Sequence, residues 1–286
     1  MSALPCPLPA VAGDDAPPSS ERLPIRRWRG GRLTLEDDEL AAEVAVALEY
    51  NGISQAVMLA TPDDLEDFAV GFSLSEGIVG RPGEILAVDA VPHASGIQLQ
   101  IELAAERFAA LKGRRRSLSG RTGCGLCGVD SLEQVLRPLS PVASTLRISA
   151  AALHAALRQA RQPLQERTGA SHAALWVDAG QGLACLREDV GRHNALDKLI
   201  GALARQRQPD LFGQGAAVIS SRASHEMVQK AATVGIGVLA AISAPTAAAV
   251  HLAEQLNVTL IGFLRGGDHV VYSHPQRLSE FSGDRP

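Results

Sequence analysis

The sequence predicts an α/β protein built from two unequal units, and two observations carry that reading. From about residue 216 onward, short apolar runs alternate with stretches of helical period, which implies a parallel sheet covered on both faces. Between residue 25 and about residue 112 the pattern changes to a hairpin, one helix and alternating strand-like residues, as in a small α+β unit.

Taken in order, residues 1–24 are expected to be a disordered tail. Residues 1–20 lack both a charged start and a continuous apolar run, so they do not read as a secretory signal. Glu43–Leu48 and Ala56–Ala60 read as strands around Asn51-Gly52, a strong hairpin signal. Thr61 is the expected N-cap of the next helix, with Pro62 at its first position and Asp63 and Asp64 complementing its positive end. Leu65, Phe68, Ala69 and Phe72 follow at helical spacing, and Gly77 ends the helix. Residues 85–103 alternate like strands, which closes the small unit at 25–112. Residues 113–148 are expected to be a basic, glycine-rich loop and a connection containing Pro138 and Pro141.

The second unit, 149–286, begins at Ser149. A helix is expected at 150–161, with Leu153, Ala156, Leu157 and Ala160 on one face, followed by a hairpin of His172–Val177 and Leu183–Arg187. A helix over 194–206 turns Leu196, Leu199, Ile200 and Leu203 inward, with Asn194 as its cap. Strands at 216–220, 238–243 and 258–264 then alternate with helices at 224–234 and 246–256.

Composition narrows the function. Twenty-seven basic against 31 acidic residues give a net charge of −4, which argues against a general nucleic-acid binder. Nothing is long enough to span a membrane. Four cysteines in 286 residues make no disulfide framework, and a reducing cytoplasm fits best.

Two of those cysteines carry the most information. Arg121-Thr122-Gly123-Cys124-Gly125-Leu126-Cys127-Gly128 follows the basic run Arg114–Arg116. Nearby guanidinium groups stabilise a thiolate, the form that acts as nucleophile and metal ligand. On the residues alone the pair reads as half of a metal site, as a redox or persulfide centre, or as incidental exposed thiols. A closed zinc site needs four ligands, and neither Cys6 nor Cys185 makes a convincing partner.

Polar residues also gather at expected strand ends. Ser220-Ser221-Arg222 and Ser243-Ala244-Pro245-Thr246 run into helix N-termini, where free N–H groups favour anions. Arg265-Gly266-Gly267-Asp268 ends the last strand. Arg222 and Arg265 offer forked donors suited to phosphate. In open α/β sheets ligands bind outside the carboxyl ends of the strands, so a pocket for a phosphorylated ligand is one reading and ordinary helix capping the other. Glu188–Lys198 is dense in charge: Gly191 permits a sharp turn, Arg192 and His193 can face a ligand, and Asp189 can orient either. Its plain alternative is a solvated turn and an exposed helix face.

Several motifs recur together in one family. The Arg121–Gly128 segment, Glu188–Gly201 (EDVGRHNALDKLIG), Ser243–Thr246, Thr61–Asp67 with Ala69–Phe72, Glu226–Ala231, and Leu260–Phe263 with Arg265 resemble, in order, the formate dehydrogenase accessory sulfurtransferase family, FdhD. The resemblance covers about residues 25–280. It implies a cytidine-deaminase-like three-layer αβα fold for the second unit. It further implies a sulfurtransferase that accepts persulfide sulfur from a cysteine desulfurase. That sulfur passes to the molybdenum (or tungsten) bis(molybdopterin guanine dinucleotide) cofactor, the bound acceptor, for formate dehydrogenase. By position, Cys124 is the persulfide carrier and Cys127 its neighbour. Phe263, Leu264, Arg265, Gly266, Gly267 and Asp268 match the cofactor-binding stretch, with Arg222 beside it. A homodimer is expected, with no nucleic acid, no membrane and no resident metal.

The zinc set of the deaminases is missing: residue 195 is alanine where a glutamate would follow His193, and Ser221–Ser224 contains no cysteine. The chain also departs from the family at Ala170 and Ser171, at Ser221 (usually glycine) and at Asp268 (usually basic). The alternative function is a non-enzymatic cofactor-binding chaperone whose cysteine pair is structural or metal-binding.

Overall fold

A computed structural model describes residues 17–119, 138–206 and 210–281, with only the backbone of 114–119. Cys124 and Cys127 therefore lie outside the described residues.

The chain opens with a two-stranded antiparallel ribbon, β1 (Ser20–Arg29) and β2 (Arg32–Ala41), which the sequence reading did not anticipate. The expected tail is thus too long by the residues from Ser20 to Pro24. Arginines and acidic residues interrupt the apolar alternation here, so periodicity gives little signal. A four-stranded sheet follows, ordered β4-β3-β6-β5, from β3 (Val44–Tyr50), β4 (Ile53–Ala60), β5 (Ile85–His93) and β6 (Gly96–Leu103). Asn51 and Gly52 both take positive φ, 46° and 80°, as a two-residue hairpin turn requires. The sheet packs its Val46, Leu48, Tyr50, Leu99 and Ile101 face against helix α1 (Leu65–Ser75).

Helix α1 starts later than the expected Thr61. Its N-cap is Asp64, in the left-handed region at φ 55° and with no capping side-chain hydrogen bond. Thr61 is unavailable because its polar groups are used elsewhere: its N–H donates to Asp189, its carbonyl accepts from Lys198, and its hydroxyl accepts from the Val190 N–H. After β6 comes α2 (Ala105–Ser119), so the basic run Arg114–Arg116 ends a helix where a loop was expected.

The second unit contains α3 (Ala150–Gln159), α4 (Pro163–Thr168), β7 (His172–Asp178), β8 (Gly182–Asp189), α5 (Arg192–Arg205), β9 (Gly215–Ile219), α6 (His225–Thr233), β10 (Val238–Ala241), α7 (Ala247–Gln255), β11 (Thr259–Arg265) and β12 (Asp268–Ser273). Ser149 caps α3 as expected, accepting from the Ala152 N–H. The six strands run β12-β11-β10-β9-β7-β8. Only β9, β10 and β11 are mutually parallel; β7, β8 and β12 join antiparallel, so the sheet is mixed rather than parallel throughout. Alternate residues face opposite cores. Leu175, Val177, Ala216, Val218, Val238 and Ala240 meet α3, while Ala174, Trp176, Ala217, Ile219, Leu239 and Ala241 meet α5, α6 and α7. This is a three-layer αβα arrangement, and one continuous core joins it to the small sheet through α1.

The junction between the units is the crossing of α1 and α5. A Cβ on Gly71 would lie 1.7 Å from the Asp197 carbonyl oxygen, and one on Gly201 1.8 Å from that of Asp67. Only glycine lets the two backbones approach so closely. Buried charges surround the crossing. Lys198 and Asp189, both fully buried, pair at 2.7 Å. Arg187 pairs with Asp67 at 2.9 Å, and Lys230 with Asp197 at 2.9 Å.

Two outcomes follow. Gly71→Ala or Gly201→Ala is expected to destabilise the fold by about 1–3 kcal/mol or more in chemical denaturation, since the added Cβ meets backbone rather than a flexible side chain. Gly113→Ala, whose Cβ meets nothing within 4 Å, is the control and should be neutral or slightly stabilising. Lys198→Met leaves the Asp189 carboxylate buried without its cation and should cost about 3–5 kcal/mol.

Candidate functional site

The parallel strands β9, β10 and β11 deliver their carboxyl ends to one edge of the large sheet. Hydrogen bonds tie the loops there together. The Thr246 N–H donates to the Ala223 carbonyl at 3.0 Å, and the Phe263 N–H to the Ser243 carbonyl at 3.2 Å. The N-termini of α5, α6 and α7 open onto the same edge. Thr246 caps α7, its hydroxyl accepting from the Ala249 N–H. Neither Gly191 nor Ser224 supplies a side-chain cap to α5 or α6.

Unmet polar atoms gather here. Arg192 Nε and the Ser224 hydroxyl are buried and have no hydrogen-bond partner among the described residues. A buried donor without a partner carries its full desolvation cost, so such groups call for a ligand or an ordered water. His193 Nε2 lies 2.7 Å from a Glu226 carboxylate oxygen, close enough for charge pairing but without hydrogen-bond alignment. Burial pushes the His193 pKa below the ordinary histidine value; Glu226 opposes this and Arg192 adds to it. His172, at the start of β7, is lowered by burial and by Arg192. The edge is thus cationic at Arg192, Arg222 and Arg265, with two imidazoles biased toward neutrality.

The predicted stretch Phe263–Asp268 is a hairpin tip. Arg265 faces Asp268 across Gly266 and Gly267, which turn with φ of 62° and 95°. Phe263 sits in the left-handed region at φ 54°, beside a register irregularity between Gly262 and Arg265. A bulky side chain there is strained by about 1–3 kcal/mol, and such strain concentrates at functional positions. Its ring lies 5.5 Å from the Arg265 guanidinium carbon, a cation–π distance. Gly262 allows this tip to close, because a Cβ there would lie 2.8 Å from the Pro245 ring. Arg222, Arg265, Gly266, Gly267 and Asp268 are exposed and Phe263 is half-buried. Leu264 is fully buried in the α3-side core, so its side chain packs rather than facing the edge.

The acidic motif before α5 divides differently from its sequence reading. It is no solvated turn. Asp189 accepts from the Gly191 N–H, from Asn194 and from the Thr61 N–H, besides pairing with Lys198. Asn194 is not the cap; its side chain also donates to the Leu59 carbonyl, while Gly191 occupies the cap position. Gly191 is needed for close approach rather than a sharp turn, since a Cβ there would meet the Asn194 amide at 2.7 Å. Glu188 accepts from the Leu164 and Gln165 N–H groups and so caps α4. Of this motif, Arg192 and His193 border the strand-end edge, beside His172 and Glu226. His172 and Ser224 were not singled out from sequence as site residues; their signal was position, at the start of a strand and of a helix bordering the edge.

The departures from the family pattern also have places. Ser171 donates to Glu188 at 2.9 Å. Ser221 is 6% exposed and donates to the Arg222 carbonyl at 3.1 Å, folding its hydroxyl back into its own loop. A groove of about 1820 Å³ opens at the opposite ends of α5 and α6, lined by residues such as Arg81, Arg107, Arg205 and Val234. None of the described residues predicted for the site lines it.

A model of the FdhD/NarQ family matches residues 41–279. The Sulfur carrier protein FdhD of Cupriavidus necator is 57% identical over 272 residues, covering 94% of both chains. The protein of the same name from Xanthomonas campestris pv. campestris is 57% identical over 263 residues, covering 91% of this chain and 93% of its own. That of Bordetella petrii is 52% identical over 258 residues, with 89% and 92% covered. A solved structure described as a formate dehydrogenase accessory protein from Desulfotalea psychrophila superposes with a TM-score of 0.72 at 23% identity. It covers 91% of this chain and 100% of that one, a likeness of fold.

The three histidines at or beside this edge predict a pH dependence. His154, His172 and His193 are all held below the ordinary histidine value, each chiefly by burial. The unfolded chain therefore binds protons more readily than the folded one near neutrality. The stability they contribute is present above the unfolded value of about 6.5 and is lost as pH falls through the lowered folded values. The urea midpoint should drop between about pH 7.5 and about pH 5.5, and His172→Asn should flatten that slope. A midpoint that rises on acidification would contradict the assigned directions.

Proposed function

The chain belongs to the FdhD/NarQ family, and from that premise we propose that it is a sulfurtransferase serving formate dehydrogenase through a persulfide on Cys124. The observation that carries this is the match to proteins named sulfur carriers, at 57% identity over 94% of the chain. The Cys124 thiolate attacks the outer sulfur of the donor's persulfide. A new S–S bond forms on Cys124, the donor's S–S bond breaks, and the donor cysteine leaves as thiolate with the bond's electron pair. No external oxidant is needed, and exchange favours a thiol partly ionised near neutral pH. Cys127 stands three residues on as a relaying or resolving thiol.

The acceptor in this reading is the molybdenum (or tungsten) bis(molybdopterin guanine dinucleotide), bound as substrate. The strand-end edge supports it chemically. Arg222 and Arg265 supply fixed charge for diphosphate groups, open helix N-termini supply N–H donors, and Arg192 Nε and the Ser224 hydroxyl await partners. Phe263, Gly266, Gly267 and Asp268 shape the tip beside them. A homodimer would present two such edges to the two guanine nucleotides. The cysteine desulfurase is the donor and formate dehydrogenase the destination.

The test is a mass spectrum of the Cys124 peptide after the protein meets an active cysteine desulfurase and free cysteine. One added sulfur, removed by reductant and absent in Cys124→Ala, is the expected result. No addition would replace the carrier reading with that of a cofactor-binding chaperone. In parallel, Arg222→Ala and Arg265→Ala should each weaken GDP binding by about tenfold, the usual effect of losing a charge-assisted hydrogen bond. The Cys124→Ala protein should bind GDP as the parent does.

A further inference from the structure

The β1–β2 ribbon adds nothing to either core. Neither hydrophobic cluster contains a residue of Ser20–Ala41, and no partly buried apolar side chain of the ribbon packs against them. The ribbon is held at its base, where the Ala42 N–H donates to the Ser19 carbonyl and Arg167 of α4 pairs with Glu39 at 2.8 Å. A lone two-stranded hairpin is marginal in water. This one nevertheless displays apolar side chains. Trp28 is 70% exposed, Leu33 60% and Leu35 78%. Trp28 stands opposite Leu33, and Arg26 opposite Leu35, so all four share one face.

Charge along the ribbon is segregated. Arg26-Arg27-Trp28-Arg29-Gly30-Gly31-Arg32-Leu33-Thr34-Leu35 contains four arginines and no acid, whereas Glu21, Glu36, Asp37, Asp38 and Glu39 lie toward the base. Arg27 is spent on Glu36 and Asp38 of the opposite face. Arg26, Arg29 and Arg32 pair with no carboxylate among the described residues. An apolar face of tryptophan and leucine that includes the unpaired Arg26, at a tip whose reverse side carries the unpaired Arg29 and Arg32, has the composition of an interface rather than of ordinary surface.

We infer that the tip of this ribbon is a docking surface for an acidic protein partner, and that the partner is the protein that donates the sulfur. This rests on the sulfur-carrier reading above. Two features favour the donor. The tip and the Arg114–Arg116 run, which precedes the cysteine segment in the sequence, are both rich in arginine, and an acidic partner suits both. Sulfur passing directly between two cysteines also requires the two proteins to touch, and opposite charges speed that encounter.

The test uses the full-length protein with a purified cysteine desulfurase. A Trp28→Glu/Leu35→Glu variant should lose at least about tenfold in affinity for the desulfurase, and an Arg29→Glu/Arg32→Glu variant should do the same. Parent binding should weaken as salt rises. Thermal midpoints should stay unchanged, because the ribbon lies outside the core. A small-molecule persulfide should load Cys124 equally in parent and variants, while the desulfurase loads only the parent efficiently. If the small persulfide loads none of them, the carrier reading itself fails. If the desulfurase does not bind the parent, or binds and loads the variants as well as the parent, the docking surface is overturned. It is equally overturned if the variants lose only self-association in sedimentation, only binding to anionic phospholipid vesicles, or only binding to formate dehydrogenase apoprotein.

Discussion

The backbone contact between α1 and α5 is the constraint on which the rest of the molecule depends. Gly71 and Gly201 allow two helices from different units to touch carbonyl to Cα. That approach brings the charged residues of each helix within reach of the other. Asp67 meets Arg187 and Arg205, and Ser75 meets Asp197. Lys198 reaches across to the Thr61 carbonyl. Each buried charge carries a large desolvation cost and is tolerable only while its partners stay in place. Close packing and buried pairing therefore hold each other up.

The same constraint reaches the strand-end edge. Asp189 ends β8, joins the pair with Lys198 and accepts from the N–H of Gly191, the cap of α5. The next residues, Arg192 and His193, are those that face the edge. Their position is thus inherited from a carboxylate buried between the units. A helix start fixed from behind by an ion pair can present an arginine whose Nε has no partner among the described residues. Lys230 continues the connection, binding Asp197 of α5, Glu76 at the end of α1 and Ser75. Its helix begins beside Glu226, the partner of His193.

Much of the architecture was legible from sequence where one physical signal acted alone. Asn51-Gly52 demanded a tight hairpin, Gly77 ended α1, Ser149 capped α3, and the apolar runs of β9, β10 and β11 marked buried strands. Misreadings arose where a long-range partner captured a local signal. Thr61 looks like an N-cap and Asn194 like a helix start, but both are bound by residues more than a hundred positions away. The ribbon was missed because its apolar residues face solvent among charges, so no period marks them. The antiparallel hairpin of β7 and β8 was legible, while β12 was missed because it follows β11 after only the Gly266-Gly267 turn and is mostly exposed or half-buried. At the candidate site, the strand-end rule pointed to Arg222 and Arg265–Asp268, which the structure places at one edge, while Phe263 and Leu264 came from the family resemblance. That resemblance did not distinguish Leu264, whose burial follows from the alternation of β11 rather than from the motif.

The strained backbone of Phe263 has a consequence for the proposed binding of a ligand at this edge. Its left-handed backbone is held by the Ser243 carbonyl, by the closure of Gly262 over Pro245, and by the turn at Gly266-Gly267. The cost of that conformation is met by the folding of the whole domain, before any ligand arrives. In the proposed role, binding would bear little ordering entropy at the tip, because the edge is already formed. Affinity and robustness pull in opposite directions at this one residue. A chain selected only for heat resistance would relax the tip, and one selected for capture of its ligand would keep it strained.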